Sequence, residues 1–123
     1  MTGLVDQPPV VFDASAVGSL TGHAGDREFA LVFVTRFRRM LPERVRRIVA
    51  AIGSHDAGDA MDAVLSLKAA SGTLGAGELF ELGALMEARL RHLDLQGAAQ
   101  VAEGLPAAAE RAYYALTTYL EGL

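Results

Sequence analysis

Apolar residues recur every three to four positions along most of this chain, the signature of amphipathic helices. Residues Met1 to Pro9 lack that period and read as a loose tail. Asp13-Ala-Ser-Ala-Val-Gly-Ser-Leu20 is predicted to form a short helix with Asp13 as its N-cap, and Gly22 to Gly25 breaks it. A long helix is predicted from about Arg27 to Ile52, capped by Asp26. Pro42 falls inside it, but the period continues through Val45, Ile48, Val49 and Ile52, so a kink is expected rather than an end. After Gly53-Ser54 the next helix spans about Ala57 to Leu74, with Ala60, Ala63, Val64, Leu67, Ala70 and Leu74 on its apolar stripe. Gly75-Ala76-Gly77 is a turn. Helix resumes from Glu78 to Leu93, with Leu79, Leu82, Leu85, Met86 and Leu90 facing inward and Phe80 adding bulk. Asp94-Leu95-Gln96-Gly97 breaks it. The last helix runs from about Ala98 to Leu120, kinked or interrupted at Gly104 and Pro106, with Tyr113, Leu116 and Leu120 on its inner face. Four main helices joined by short loops force antiparallel neighbours. The expected fold is therefore all-α: an antiparallel up-down four-helix bundle with a short N-terminal helix. Residues 1–12 form a flexible segment and residues 13–123 the domain.

Length and composition agree with one domain. At 123 residues the chain can bury roughly two-thirds of the surface its unfolded form exposes. It has no cysteine, which excludes disulfides, thiolate metal sites and cysteine nucleophiles. The formal net charge of −4 gives no overall basic character for nucleic acid. The start lacks the basic region of a secretory signal. The longest apolar run, Phe29 to Val34, lies between Glu28 and Arg36 and is far short of the ~20 residues of a membrane span. A soluble, cytoplasmic protein is expected, with no membrane partner.

The third helix carries an anomaly. At about 100° per residue, with Leu67 at the centre of the buried face, Met61, Leu65, Lys68, Ala69 and Gly72 fall on the far side. Solvent would favour charge there, yet the face holds an apolar knob (Met61, Leu65), small residues (Ala69, Gly72) and one cation (Lys68). Such a trough reads as a docking surface, although single exposed leucines are also normal. The long helix adds Arg36, Arg38, Arg39, Arg44, Arg46 and Arg47, either a solvated face or a surface for an acidic partner. The three histidines suggest little. His55 and His23 fall in predicted loops, and His92 lies about seven residues, or ~10 Å of helix, beyond the level of position 65. They show no metal-ligand spacing, so neither a metal nor another cofactor is expected.

Over about residues 10 to 121 the chain resembles the histidine phosphotransfer (HPt) family. The resemblance is carried by Leu65-Ser-Leu-Lys68-Ala69-Ala-Ser-Gly72-Thr-Leu74-Gly75-Ala76, set against a family signature of roughly His-x-x-Lys-Gly, small residues, then a hydrophobic-Gly turn. Phe37-Arg-Arg-Met-Leu41-Pro42-Glu43-Arg44 looks like the family's second helix, and Asp56-Ala-Gly58-Asp59-Ala60 like its lead-in to the signature helix. Leu79 to Leu90 and Asp94-Leu95-x-x-Ala98 look like the helices that follow. The family fold is the bundle already derived from the period. Two departures stand out: the phosphoryl-accepting histidine falls at Leu65, and the glycine after the lysine is Ala69. Leucine has no nucleophile, so no catalytic residue is assigned. Alanine for glycine favours the helix by ~1 kcal/mol and narrows the trough.

The resemblance implies a non-catalytic pseudo-phosphotransfer protein. It would dock a response-regulator receiver domain or a histidine kinase through Met61, Leu65, Lys68, Ala69 and Gly72, with Arg38 and Arg39 nearby. Lys68 is expected to pair with a receiver's acidic pocket. The alternatives are an assembly role, in which the same face makes a homodimer, and phosphotransfer through another histidine.

Overall fold

The computed structural model describes residues 9–21 and 27–123. The proposed Asp26 cap, His23, the Gly22 to Gly25 break and residues 1–8 of the tail lie outside them. Six helices follow in order: α1 (Ala14–Thr21), α2 (Arg27–Gly53), α3 (Ala57–Leu74), α4 (Gly77–Arg91), α5 (Leu95–Ala102) and α6 (Leu105–Glu121). α3 packs between α2 and α4, α5 lies against α4, and α6 closes the bundle against α2. The predicted four-helix bundle with its short N-terminal helix is thus present, with the fourth side split in two. Among the described residues no helix is long and apolar enough to cross a membrane.

Each helix end has a local cause. The Asp13 carboxylate accepts from the Ser15 N–H at 3.0 Å and its hydroxyl at 2.7 Å, which satisfies a donor at the start of α1 and holds the carboxyl below its ordinary pKa. Asp56 caps α3 by accepting from the Asp59 N–H at 3.0 Å, and Asp94 caps α5 by accepting from the Gly97 N–H at 2.8 Å. The loops before these two caps share one device: His55 (φ 62°) and Leu93 (φ 57°) adopt the left-handed conformation. α4 therefore stops at Arg91, two residues short of the expected end. The chain breaks at Glu103-Gly104 and restarts with Pro106 in the first turn of α6, where its missing N–H leaves no bond unmade.

The α3–α4 turn is built from small residues because another segment lies on it. Gly75 ends α3 in the left-handed region at φ 88°, and its N–H and that of Ala76 both donate to the Ser71 carbonyl. A Cβ on Gly75 would stand 2.7 Å from both the Asp13 carbonyl oxygen and the Ala16 Cβ. One on Gly77 would stand 2.6 Å from the Val10 carbonyl oxygen. In that space the Asp13 N–H donates to the Gly75 carbonyl at 2.9 Å, and the Glu78 N–H donates to the Val10 carbonyl at 2.8 Å. Val11 and Phe12, assigned from sequence to a flexible segment, pack against the core, with Phe12 edge-on to Tyr119 at 5.3 Å.

The core runs the length of the bundle through Val34, Leu41, Ile48, Val64, Leu67, Leu74, Leu79, Met86, Leu105 and Leu116, all essentially inaccessible. Three expectations about inner faces are corrected. Leu85 and Val49 are exposed, and α4 buries Leu79, Gly83, Met86 and Leu90 instead. Tyr113 is also exposed, because α6 turns Leu105, Ala108, Ala112 and Leu116 inward. Alanine and glycine at these contacts let the helices approach closely, so the bulkier neighbours are left outside.

Candidate functional site

The outward face of α3 forms an open hollow lined by Leu65, Lys68, Ala69, Gly72, Thr73 and Phe80. At about 100° per residue Leu65, Ala69 and Gly72 point away from the core. Lys68 turns toward α4, and Ser66 toward α2. Leu65 is 38% exposed, so its side chain is accessible at the floor of the hollow. Of the residues singled out from the sequence, Leu65, Lys68, Ala69 and Gly72 meet there. Met61 does not join them as a second knob: it is half-buried and packed against the core.

α4 supplies the far wall. Gly83 is buried against Lys68, and a Cβ there would lie 3.0 Å from the Lys68 Cβ, so glycine sets how closely α3 and α4 approach. The Phe80 ring lies across Gly72, whose missing Cβ would sit 3.0 Å from its edge. The Lys68 ammonium stands 5.6 Å from the centre of the same ring. It also donates to Glu87 Oε1 at 2.7 Å. Glu87 Oε2 accepts from Arg91 Nε at 3.0 Å and from its terminal nitrogen at 2.5 Å. Lys68 first, then Arg91, holds the Glu87 carboxyl below its ordinary pKa although the residue is only 8% exposed. Lys68, expected to be available to an acidic partner, thus already has a carboxylate partner within the chain.

α2 supplies the near edge. Arg36, Met40, Arg44 and Arg47 recur along one side of α2 by helical geometry. Arg44 donates to the Ser66 hydroxyl, and Arg47 pairs with Asp59 at 2.8 Å. Ser66 adjoins Leu65, so this arginine row borders the hollow. Arg38 does not. It reaches α6, donating to Thr117 Oγ1 at 3.0 Å and standing 5.4 Å over the Tyr113 ring. Arg39 is exposed and lies by helical geometry on the solvent side of α2, away from α3. The basic neighbours of the hollow are therefore Arg44 and the residues in line with it, in place of Arg38 and Arg39. Thr73 and Glu87 were not singled out from the sequence, Phe80 was noted only for its bulk, and Arg44 only as one of the arginines of the long helix. Phe80, Ala84, Glu87 and Arg91 follow an i, i+4, i+7, i+11 spacing, which would have placed Glu87 on the α3-facing edge of α4.

Neither described histidine is on this face. His55 is exposed in the α2–α3 loop, and α3 starts eight residues before Leu65, ~12 Å along the axis. His92 is exposed at the end of α4.

The chain is thus an antiparallel all-α bundle with an open, partly apolar hollow on one helix face. The Hpt domain model matches residues 32–122, and the chain belongs to the Hpt domain family. Hpt domains serve two-component phosphorelays, in which they interact with histidine kinases and response regulators as phosphotransfer carriers. Histidine-containing phosphotransfer protein B (HptB) of Pseudomonas aeruginosa PAO1 is similar in structure, with a TM-score of 0.81 at 22% identity over 92% of this chain and 96% of that one. So is the HPT domain of a sensor hybrid histidine kinase from Shewanella, with a TM-score of 0.78 at 19% identity over the same shares of the two chains. At these identities the likeness is one of fold. No curated protein matches the chain.

Proposed function

We propose that this chain is an Hpt-fold docking protein that accepts no phosphoryl group. It binds a receiver domain or a histidine kinase through the α3–α4 hollow and, by occupying that partner, damps a phosphorelay. On this reading it works in the cytoplasm. One observation carries the proposal: Leu65, whose isobutyl group has no lone pair to offer phosphorus, is the accessible side chain three residues before Lys68, where the family resemblance puts the acceptor histidine. Around it the rest of a docking surface persists, with small residues at 69 and 72, an aromatic wall at Phe80 and arginines along α2. Phosphoryl transfer rests mainly on positioning, and neither described histidine lines the hollow.

Reconstitution with a histidine kinase and receiver from the same organism and radiolabelled ATP tests the reading. No acid-labile label should appear on this chain, while label on the receiver should fall as the chain is added. Label on the chain that disappears with His23→Gln, His55→Gln or His92→Gln would make it an active carrier.

A further inference from the structure

We infer that the hollow discriminates between the states of a receiver domain and binds the unphosphorylated one, an inference that rests on the docking reading above. The chemistry lies in how the hollow is charged. Its floor is Leu65, Ala69 and Gly72, and Lys68 is the one cation among its lining residues. That cation is committed. Its nitrogen is 2.7 Å from an oxygen of the nearly buried Glu87, and the Phe80 ring centre lies 5.6 Å from it on another side. Arg91 sits on the opposite carboxylate oxygen, so Glu87 stays ionised. A phosphoryl dianion brought against Leu65 would give up water for an isobutyl group. It would meet a lysine whose ammonium already donates to a carboxylate, in a Lys68–Glu87–Arg91 triad whose second cation stands on the opposite carboxylate oxygen. Leaving one charged acceptor unpaired in an interface weakens binding roughly ten- to hundredfold.

An uncharged or cation-filled carboxylate pocket makes no such demand. Its acidic rim can still meet the arginine edge of α2, where Arg36 makes no ion pair among the described residues and Arg44 is held by a neutral hydroxyl. Affinity for one state is reciprocal with the population of that state. A protein that binds the unphosphorylated receiver more tightly therefore opposes its phosphorylation to the same degree. No covalent step on this chain is needed.

Calorimetric titration of the full chain with a receiver from the same organism tests this, with Mg²⁺ alone and with Mg²⁺ plus beryllofluoride as the phosphoryl mimic. Binding should be at least about tenfold weaker with beryllofluoride. Glu87→Gln, which releases Lys68, should bring the two affinities together by strengthening the beryllofluoride complex. Equal or tighter binding of the beryllofluoride form by the native chain overturns the inference and leaves the docking reading standing. Binding of neither form overturns both.

Discussion

Replacing Gly75 with alanine should destabilise the fold by about 2–3 kcal/mol, and the sum can be worked from the turn itself. At φ 88° an L-residue pays about 1–2 kcal/mol for the left-handed conformation. The new methyl would also stand 2.7 Å from the Asp13 carbonyl oxygen and from the Ala16 Cβ, too close for either to stay. The N-terminal segment must move, and with it goes the Asp13 N–H bond to the Gly75 carbonyl, a further ~0.5–1.5 kcal/mol. Urea unfolding followed by far-UV circular dichroism measures the loss. The midpoint should fall with little change in slope, because the folded surface changes little. Gly18→Ala is the matched control. Gly18 lies inside α1, and among the described residues a methyl group there would meet nothing within 4 Å, so alanine should be neutral or stabilising by up to ~1 kcal/mol. A loss below ~1 kcal/mol for Gly75→Ala would show that neither the left-handed turn nor the segment resting on it constrains the α3–α4 hairpin.

Three further outcomes are expected. Leu93→Gly, at a left-handed position with an exposed side chain, should raise stability by about 0.5–1 kcal/mol in the same assay. Leu116→Ala removes a fully buried side chain and should cost about 2–5 kcal/mol. Glu87 titrates below its ordinary value because Lys68 and Arg91 favour the carboxylate, so its contribution is complete above the ordinary glutamate value of 4.5 and is lost as pH falls through the lowered one. Glu87→Gln should therefore flatten part of the acid limb of stability against pH; an unchanged limb would mean that the ion triad does not shift this group.

The bundle was legible because period and punctuation agree: apolar stripes at helical spacing are separated by Gly53-Ser54, Gly75-Ala76-Gly77 and Asp94. The hydrophobic stripe was less informative about which side chains are buried. Tyr113 and Leu85 are larger and offer more apolar surface than Ala112 and Gly83, yet the small residues face inward because close helix contacts need them. Within the hollow, Leu65, Ala69 and Gly72 follow from rotation about one helix, which a sequence supplies. The Lys68–Glu87 pair depends on how α4 is turned against α3, and Arg38 on which neighbour α2 presents it to. These are relations between helices. Hairpin register puts Glu87 near the level of Leu65, but only the packing at Gly83 brings its carboxylate onto Lys68. How α2 is turned against α3 and α6 puts Arg44 on Ser66 beside the hollow and Arg38 on Thr117 away from it.

If the exposed face around Leu65 is a docking surface, substituting that residue should abolish receiver binding. Receiver domains from the same organism would be titrated calorimetrically into the native chain and into Leu65→Glu, with circular dichroism to confirm that the variant folds. Micromolar binding to at least one receiver is expected, lost in the variant because a carboxylate would be buried in an apolar contact. Binding that survives Leu65→Glu unchanged, or no receiver binding by the native chain, would contradict it.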